Sequence, residues 1–339
     1  MPQPSTVEIT EIPSFSIIVE TENLASADLG GLCNSLDAIA AQDIPPTCAQ
    51  EVLILESGDV PPDLLNQLLV KYPWLSIRTV SADMDYYAAK MKGVAMTTGE
   101  IIVFADSDCI YETNWLRSLL TPFAQNPEMQ AIAGETRTSA RGAYGLGISL
   151  TYIFPPFSHR KDLHPTRFYF FNNVAFRRSL LLTHPLPTDL PIYRGNCVVH
   201  AHTLTQQAIT IWRQPIAHAV HAAPNGLAHF FWRFILLGYD ALLIYRLRRA
   251  NGQVSKMAAR PLEDLFIGFA LTAMRVKESV VRLFKLLQEK PSHLLNLPVA
   301  AVIALTSIAL FLVGVAIAYL RPNHFLSKEG RVEVNWEPS

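Results

Sequence analysis

The chain has 339 residues, half of them hydrophobic, and a formal net charge of −1 at pH 7. That balance lacks the basic excess of a general nucleic-acid binder, so no nucleic-acid partner is expected. The four cysteines, Cys33, Cys48, Cys109 and Cys197, are far apart and make no C-x-x-C, which argues against a disulfide framework or a zinc site and fits a reducing compartment.

Residues 1–13 are polar, include Glu8 and Glu11, and lack the basic-then-apolar pattern of a signal peptide. Phe15 to Val19 reads as an apolar strand running into Glu20-Thr21-Glu22-Asn23. Ala27 to Ala41 has helical spacing at Leu29, Leu32, Leu36 and Ile39. Val52 to Leu55 repeats the strand and ends in Glu56-Ser57-Gly58-Asp59. A helix over Pro62–Tyr72, a strand over Leu75–Val80 and a helix over Met84–Thr97 follow. Next comes Gly99-Glu100-Ile101-Ile102-Val103-Phe104-Ala105-Asp106-Ser107-Asp108, a buried-strand pattern ending in paired carboxylates, and then a helix from Trp115 to Phe123. Alternating strands and helices imply βαβ units and a parallel sheet between helices.

Ligands bind at the C-terminal edge of such a sheet, where Glu22, Glu56, Asp106 and Asp108 converge. Paired carboxylates there suit a hard divalent cation bridging to phosphates. The segment from Gly142 to Gly147 and from Phe154 to Asp162 is punctuated by Gly and Pro and holds Tyr144, Tyr152, Phe154, Phe157, His159 and Arg160. It reads either as an acceptor-side lid or as a loop packing its aromatics on the domain.

His229–Arg249 is apolar but interrupted by Arg233 and Asp240, so a helix lying at the membrane surface is expected, with Arg246, Arg248, Arg249, Lys256 and Arg260 near anionic headgroups. Leu262–Glu289 places Arg275, Glu278, Arg282, Lys285 and Glu289 on one helical face and Phe269, Ala273, Val276, Val280, Leu283 and Leu287 on the other, again an interfacial helix or else a soluble hairpin. Leu297–Leu320 is uncharged over 24 residues, roughly 36 Å of helix, enough for a bilayer core of about 30 Å. The basic flank at Arg275, Lys277, Arg282, Lys285 and Lys290, against Arg321 behind it, predicts a single-pass protein of the cell membrane with its N-terminal bulk cytoplasmic.

The order S-I-I-V-x-T-x-N, then E-V-L-I-L-E-S-G-D, then K-x-x-G-x-x-x-x-x-G-E-I-I-V-F-x-D-S-D resembles family-2 glycosyltransferases of the GT-A fold over roughly residues 14 to 120. Phe171-Asn172-Asn173-Val174-Ala175-Phe176-Arg177-Arg178 resembles the A-F-R-R strand of that family's second half. The resemblance implies inverting transfer of a sugar from a nucleotide-sugar, with a divalent metal, Mn2+ or Mg2+. It implies a nucleotide-sugar pocket at Thr21, Glu22, Glu56, Lys90 and Asp106, with Asp59 near the same turn, and metal-holding roles for Asp108 and His221. His221 lies in P-I-A-H-A-V-H-A-A-P, beside His218, and imidazole suits manganese.

Where the family carries an acidic pair as general base, this chain reads Arg194-Gly195-Asn196-Cys197-Val198-Val199-His200-Ala201-His202-Thr203-Leu204. Three readings stay open: His202 or His200 is the base, an imidazole being suited to neutral pH; Asp189 reaches in; or an already ionised acceptor, such as a polyprenyl phosphate, needs no strong base.

The expected architecture is α/β, a Rossmann-like GT-A sheet, mostly parallel and flanked by helices, over residues 14–225. It is followed by interfacial helices at 226–295, a transmembrane helix at 296–321 and a tail at 322–339. The expected function is a membrane-anchored, hexosyltransferase-like enzyme of polysaccharide biosynthesis, moving a sugar from a UDP- or GDP-sugar to a glycan or lipid-linked acceptor, with membrane lipids as partners. The alternative is a catalytically silent nucleotide-binding partner in a glycan assembly complex. A nucleotidyltransferase would want a Gly-rich basic loop after the first strand, and Glu20 to Ser26 is neither.

Overall fold

The computed structural model describes residues 12–21, 29–58 and 60–328. Its first half contains β1 (Phe15–Glu20), α1 (Leu29–Ala40), β2 (Val52–Glu56), α2 (Pro62–Lys71), β3 (Leu75–Thr79), α3 (Tyr86–Met96), β4 (Ile101–Asp106), β5 (Cys109–Tyr111), α4 (Trp115–Gln125) and β6 (Ala131–Thr138). Next come α5 (Gly142–Thr151), β7 (His164–Thr166), β8 (Asn173–Arg177), α6 (Arg178–Thr183), α7 (Asn196–Gln206) and β9 (Ile211–His221). The chain then becomes helical: α8 (Gly226–Arg249), α9 (Pro261–Glu289), α10 (Leu297–Leu320) and the short α11 (His324–Lys328). The elements expected from Phe15 to Phe123 form in the expected order. The Gly-punctuated stretch from Gly142 is helical rather than a loop, and β5 is an added strand directly behind the paired carboxylates.

The chain divides into two compact units. The first is built from residues up to Thr136 with Phe157–Leu186 and Leu204–Val220. Its sheet runs β3-β2-β1-β4-β8-β6-β9-β5, with β7 beside β9. The strands β3, β2, β1 and β4 are mutually parallel, whereas β8 is antiparallel to both β4 and β6. β1, β2 and β4 are buried along their whole length, as continuous apolar runs in a two-sided sheet must be. Ile17, Val19, Ile54 and Val103 pack against Leu32 and Leu36 of α1 and Trp115 and Leu119 of α4. The Asn173 side chain stitches the mixed half: its amide donates to the carbonyls of Glu135 (3.0 Å) and Ala217 (2.9 Å) and its oxygen accepts from Trp115 Nε1 (2.8 Å).

The second unit comprises Arg137–Pro156, Pro187–Thr203 and the chain from His221 onward. Its core is the crossing of α8 and α10. A Cβ added at Gly238 would lie 1.9 Å from Phe311 O, and one at Gly314 would lie 1.9 Å from Ile235 O. Backbones touch here because neither residue has a side chain, the small-residue packing by which helices associate in lipid. Among the described residues, both α8 and the stretch Pro291–Leu320 have the length and composition to cross a membrane, where one such helix was expected. The charges that interrupt α8 are held inside the unit. Asp240 is buried and accepts from the amides of Tyr193 (2.7 Å) and Arg194 (2.8 Å), and Arg233 Nε donates to Tyr152 Oη (2.8 Å).

Two groups expected at the lipid surface turn inward. Arg246 pairs with Asp264 at 2.9 Å, both side chains almost fully buried, and Arg249 reaches Glu263 at 3.1 Å. Arg248, Lys256 and Arg260 alone of the five basic residues expected near headgroups are exposed. Arg275 and Arg282 also face inward, onto main-chain carbonyls beyond α5, so they do not add charge to the flank of α10. The exposed side of α9 carries Leu262, Phe266, Phe269, Val280 and Phe284, interrupted by the exposed Lys277 and Lys285.

Replacing Gly314 by Val should force α8 and α10 apart and cost on the order of 2–3 kcal/mol. A lowered midpoint of thermal unfolding in detergent, against an unchanged midpoint for Leu305→Ala on the exposed side of the same helix, checks this.

Candidate active site

Asp85 caps α3, accepting from the amides of Tyr87 (2.7 Å) and Ala88 (2.9 Å). The cap sets the register of the helix, and Tyr86 and Lys90, four residues apart, fall on one face. That face covers the end of β4. Lys90 Nζ lies 2.5 Å from Asp106 Oδ1 and donates also to Ala105 O at 3.2 Å. Tyr86 Oη donates to both Asp106 oxygens, at 2.9 and 2.8 Å. Lys90 has no solvent exposure and is ringed by Tyr86, Phe104 and Phe171, with centroids 4.7, 5.5 and 5.5 Å from its nitrogen. Burial, and next the charge of Asp106, pushes the Tyr86 hydroxyl well above its ordinary range, so it stays a donor. The main chain of Asp106 is fixed as well: its amide donates to Tyr111 Oη (2.9 Å) and its carbonyl accepts from Ser35 Oγ (3.0 Å).

The neighbouring strand ends sit on the same edge. Glu20 is opposite Asp106 in register and is buried. Thr21 is buried and donates to Leu55 O at 2.9 Å. Glu56 folds its carboxylate back over its own turn, accepting from the amides of Gly58 (2.5 Å) and Val60 (3.2 Å). Gly58 has φ of 101°, a left-handed conformation for which glycine is suited. Asp108 is half-buried, one residue beyond buried Ser107 and 3.7 Å from the Cys109 thiol. Burial, then the charges of Asp108 and Asp106, pushes that thiol well up, so it is a neutral neighbour. Glu22 and Asp59 lie outside the described residues.

Hence Thr21, Glu56, Lys90, Asp106 and Asp108 gather at one end of the parallel strands. Lys90, however, points its charge at Asp106 inside the protein. Glu20, Tyr86 and Tyr111 belong to the same cluster and were missed by motif reading. The spacing of Tyr86 and Lys90 on one helix face was the available signal for the first tyrosine.

β9 hydrogen-bonds beside β5, with Glu112 N–H donating to His218 O at 3.2 Å. Glu112 also accepts from His218 Nδ1 at 2.9 Å, and the His218 ring stacks on Phe157 at 3.8 Å. Strand alternation sends His221, the last residue of β9, to the opposite face from His218. Within the second unit, His221 Nδ1 donates to Ala222 O at 2.6 Å, so in the neutral ring Nε2 carries the lone pair. Its ring lies 4.6 Å from that of Phe154 and 6.0 Å from that of Tyr152.

His200 and His202 are on α7. His200 is buried. His202 is half-buried, its Nε2 has no hydrogen-bond partner among the described residues, and desolvation, then Arg248, lowers its pKa below 6.5. Asp189 is exposed on the loop before α7.

The edge as a whole can hold a hard cation and a polar ligand on pre-formed carboxylates. Lys90→Met strands a buried carboxylate and should destabilise the fold by about 3–5 kcal/mol, with part of the loss recovered in Lys90→Met/Asp106→Asn. Urea unfolding of the four proteins of the cycle checks the coupling.

Comparison with known proteins gives three likenesses. The family model described as Glycosyl transferase family 2 matches residues 17–183. Among curated proteins, Glycosyltransferase AglE of Haloferax volcanii is 28% identical over 107 residues, 31% of this chain and 34% of that protein, so the alignment spans about a third of the relative's length. Among solved structures, the mannosyltransferase PcManGT from Pyrobaculum calidifontis, in complex with GDP-Man and Mn2+, superposes with a TM-score of 0.60 at 18% identity, covering 96% of this chain and 92% of that one. GalNAc-T7 with UDP, GalNAc and Mn2+ superposes with a TM-score of 0.53 at 11% identity, covering 72% and 50%.

Proposed function

We propose that this chain, a glycosyltransferase with a family-2 domain on a GT-A fold, is an inverting enzyme that moves a sugar from a UDP- or GDP-sugar to a glycan or lipid-linked acceptor at a membrane. The observation that carries this reading is the carboxylate edge, where Asp106 is locked by Lys90 and Tyr86 while Asp108 stays half-exposed beside it.

The donor set fits a divalent cation. Asp108 offers a hard oxygen, the Cys109 thiol is held neutral, and His221 has its Nδ1 committed to a carbonyl, which leaves the lone pair on Nε2. Asp108 and His221 are each proposed as a metal-holding residue on the chemistry of their own donor atoms. The superposed PcManGT and GalNAc-T7 structures contain Mn2+, which supports the same cation here. When bound, the cation neutralises charge developing on the diphosphate as it leaves. Glu20, Thr21, Glu56 and Asp106 line the edge that takes the nucleotide and sugar, and rigid Asp106 orients the donor without reorganising.

For the base, His202 is favoured over His200 and Asp189. It is half-buried, its Nε2 has no hydrogen-bond partner among the described residues, and it is kept neutral at pH 7, the state a proton acceptor needs, whereas His200 is buried. An acceptor that arrives ionised removes the need for any of the three.

The large apolar side chains exposed along α9, with the uncharged α10, support seating on a bilayer, in keeping with a lipid-linked acceptor. Phe266→Glu/Phe269→Glu should lower co-flotation of the protein with liposomes several-fold.

The function is tested by nucleotide-sugar hydrolysis with Mn2+, scanning UDP- and GDP-sugars. Hydrolysis should cease with EDTA and fall at least a hundredfold in Asp108→Ala. Nucleotide binding without turnover of any donor, acceptors included, would return the chain to a silent partner. With His202 as base, the rate is retained at pH 7 and falls as the pH drops through a value below 6.5, where the ring becomes charged. A profile flat to pH 5, or an unchanged rate in His202→Ala, would remove His202 from the mechanism.

A further inference from the structure

Helix α5 ends at Thr151, so the carbonyls around its end need donors from elsewhere. They find them on α9. Arg275 donates to Thr151 O (3.3 Å) and Tyr152 O (3.5 Å), and Arg282 donates to Tyr152 O and, at 3.4 Å, to Phe154 O. A guanidinium presents several donors in a rigid fork, and two forks from one helix grip the carbonyls of Thr151, Tyr152 and Phe154. Arg282 is buried, and that burial pushes its pKa down to about 10, at which it remains charged near neutrality.

Two of the three residues whose carbonyls are gripped, Tyr152 and Phe154, also place their rings beside His221. Phe154 and Tyr152 also contact each other at 5.4 Å, and Arg233 of α8 anchors Tyr152 through its hydroxyl at 2.8 Å. Every contact in this series lies within the second unit.

We propose that Arg275 and Arg282 are positioning residues for His221, acting from α9 through the backbone and rings of Tyr152 and Phe154. The proposal rests on the reading of His221 as a metal-holding residue. Groups that orient a metal-ligating histidine typically change metal affinity by 10–100-fold when altered, although they never touch the ion. The opposite side of α9 exposes Leu262, Phe266, Phe269, Val280 and Phe284.

The test is Mn2+ binding, followed by the loss of the free-ion EPR signal on titrating the full chain in detergent micelles. Thermal unfolding of each variant confirms that it is folded. Arg282→Met and Phe154→Leu should each weaken Mn2+ binding about tenfold, towards the level of His221→Ala, with Arg282→Lys in between. In a His221→Ala background, Arg282→Met should add less than about twofold, because the ring it positions is gone. Wild-type affinity in Arg282→Met and Phe154→Leu, with weakened binding in His221→Ala, would overturn the positioning alone. Wild-type affinity in His221→Ala would overturn the metal assignment and the proposal with it. Should Arg282→Met fail to fold, Phe154→Leu decides, since it removes only one ring from the series.

Discussion

A buried charge pair holds the carboxylate edge of the sheet in place. Lys90 and Asp106 meet at 2.5 Å with almost no solvent on either side chain. Desolvating two charges is costly, and the arrangement is sustained only because the remaining valences are filled. Tyr86 donates to the carboxylate, Ala105 O takes a further ammonium proton, and three aromatic rings surround the cation. The consequence is a rigid strand end. The two carboxylates of Asp106-Ser107-Asp108 thus differ, one bound into the protein and the other half-exposed.

The helical unit solves a different problem. Its charged groups are largely satisfied inside. Asp240 takes two backbone amides, Arg246 takes Asp264, and Arg275 and Arg282 take carbonyls at and beyond the end of α5. Large apolar side chains, Leu262, Phe266, Phe269, Val280 and Phe284, stand outward along α9 between the exposed Lys277 and Lys285. Where α8 and α10 cross, Gly238 and Gly314 let the backbones touch, so packing of main chain on main chain holds the crossing.

Much of this was open to reading from sequence because the signals are local. The apolar runs at Ile17–Val19, Val52–Leu55 and Ile101–Ala105 have one stable use, as central strands of a two-sided sheet. Once three such strands run parallel, their acidic ends share an edge. The uncharged run from Leu297 to Leu320 likewise determines a long apolar helix. His221 ends β9, and its offset of three positions from His218 sends the two rings to opposite faces, as strand periodicity alone dictates.

What tertiary structure alone decided is which charged groups are spent internally. In sequence, Lys90 reads as a contact for the nucleotide and the arginines of α8 and α9 as a lipid-facing basic flank, because residue type reports charge and not direction. Direction comes from packing. Tyr86 and Lys90 turn onto Asp106 because the Asp85 cap sets the phase of α3. Arg275 and Arg282 turn inward because exposed carbonyls at the end of α5 lie on that side. Glu56 closes its own turn because two amides are within reach. Helical and strand periods are properties of a short segment and survive in the sequence. The partner of a buried charge is set by residues tens to more than a hundred positions away, and only the folded chain brings them together.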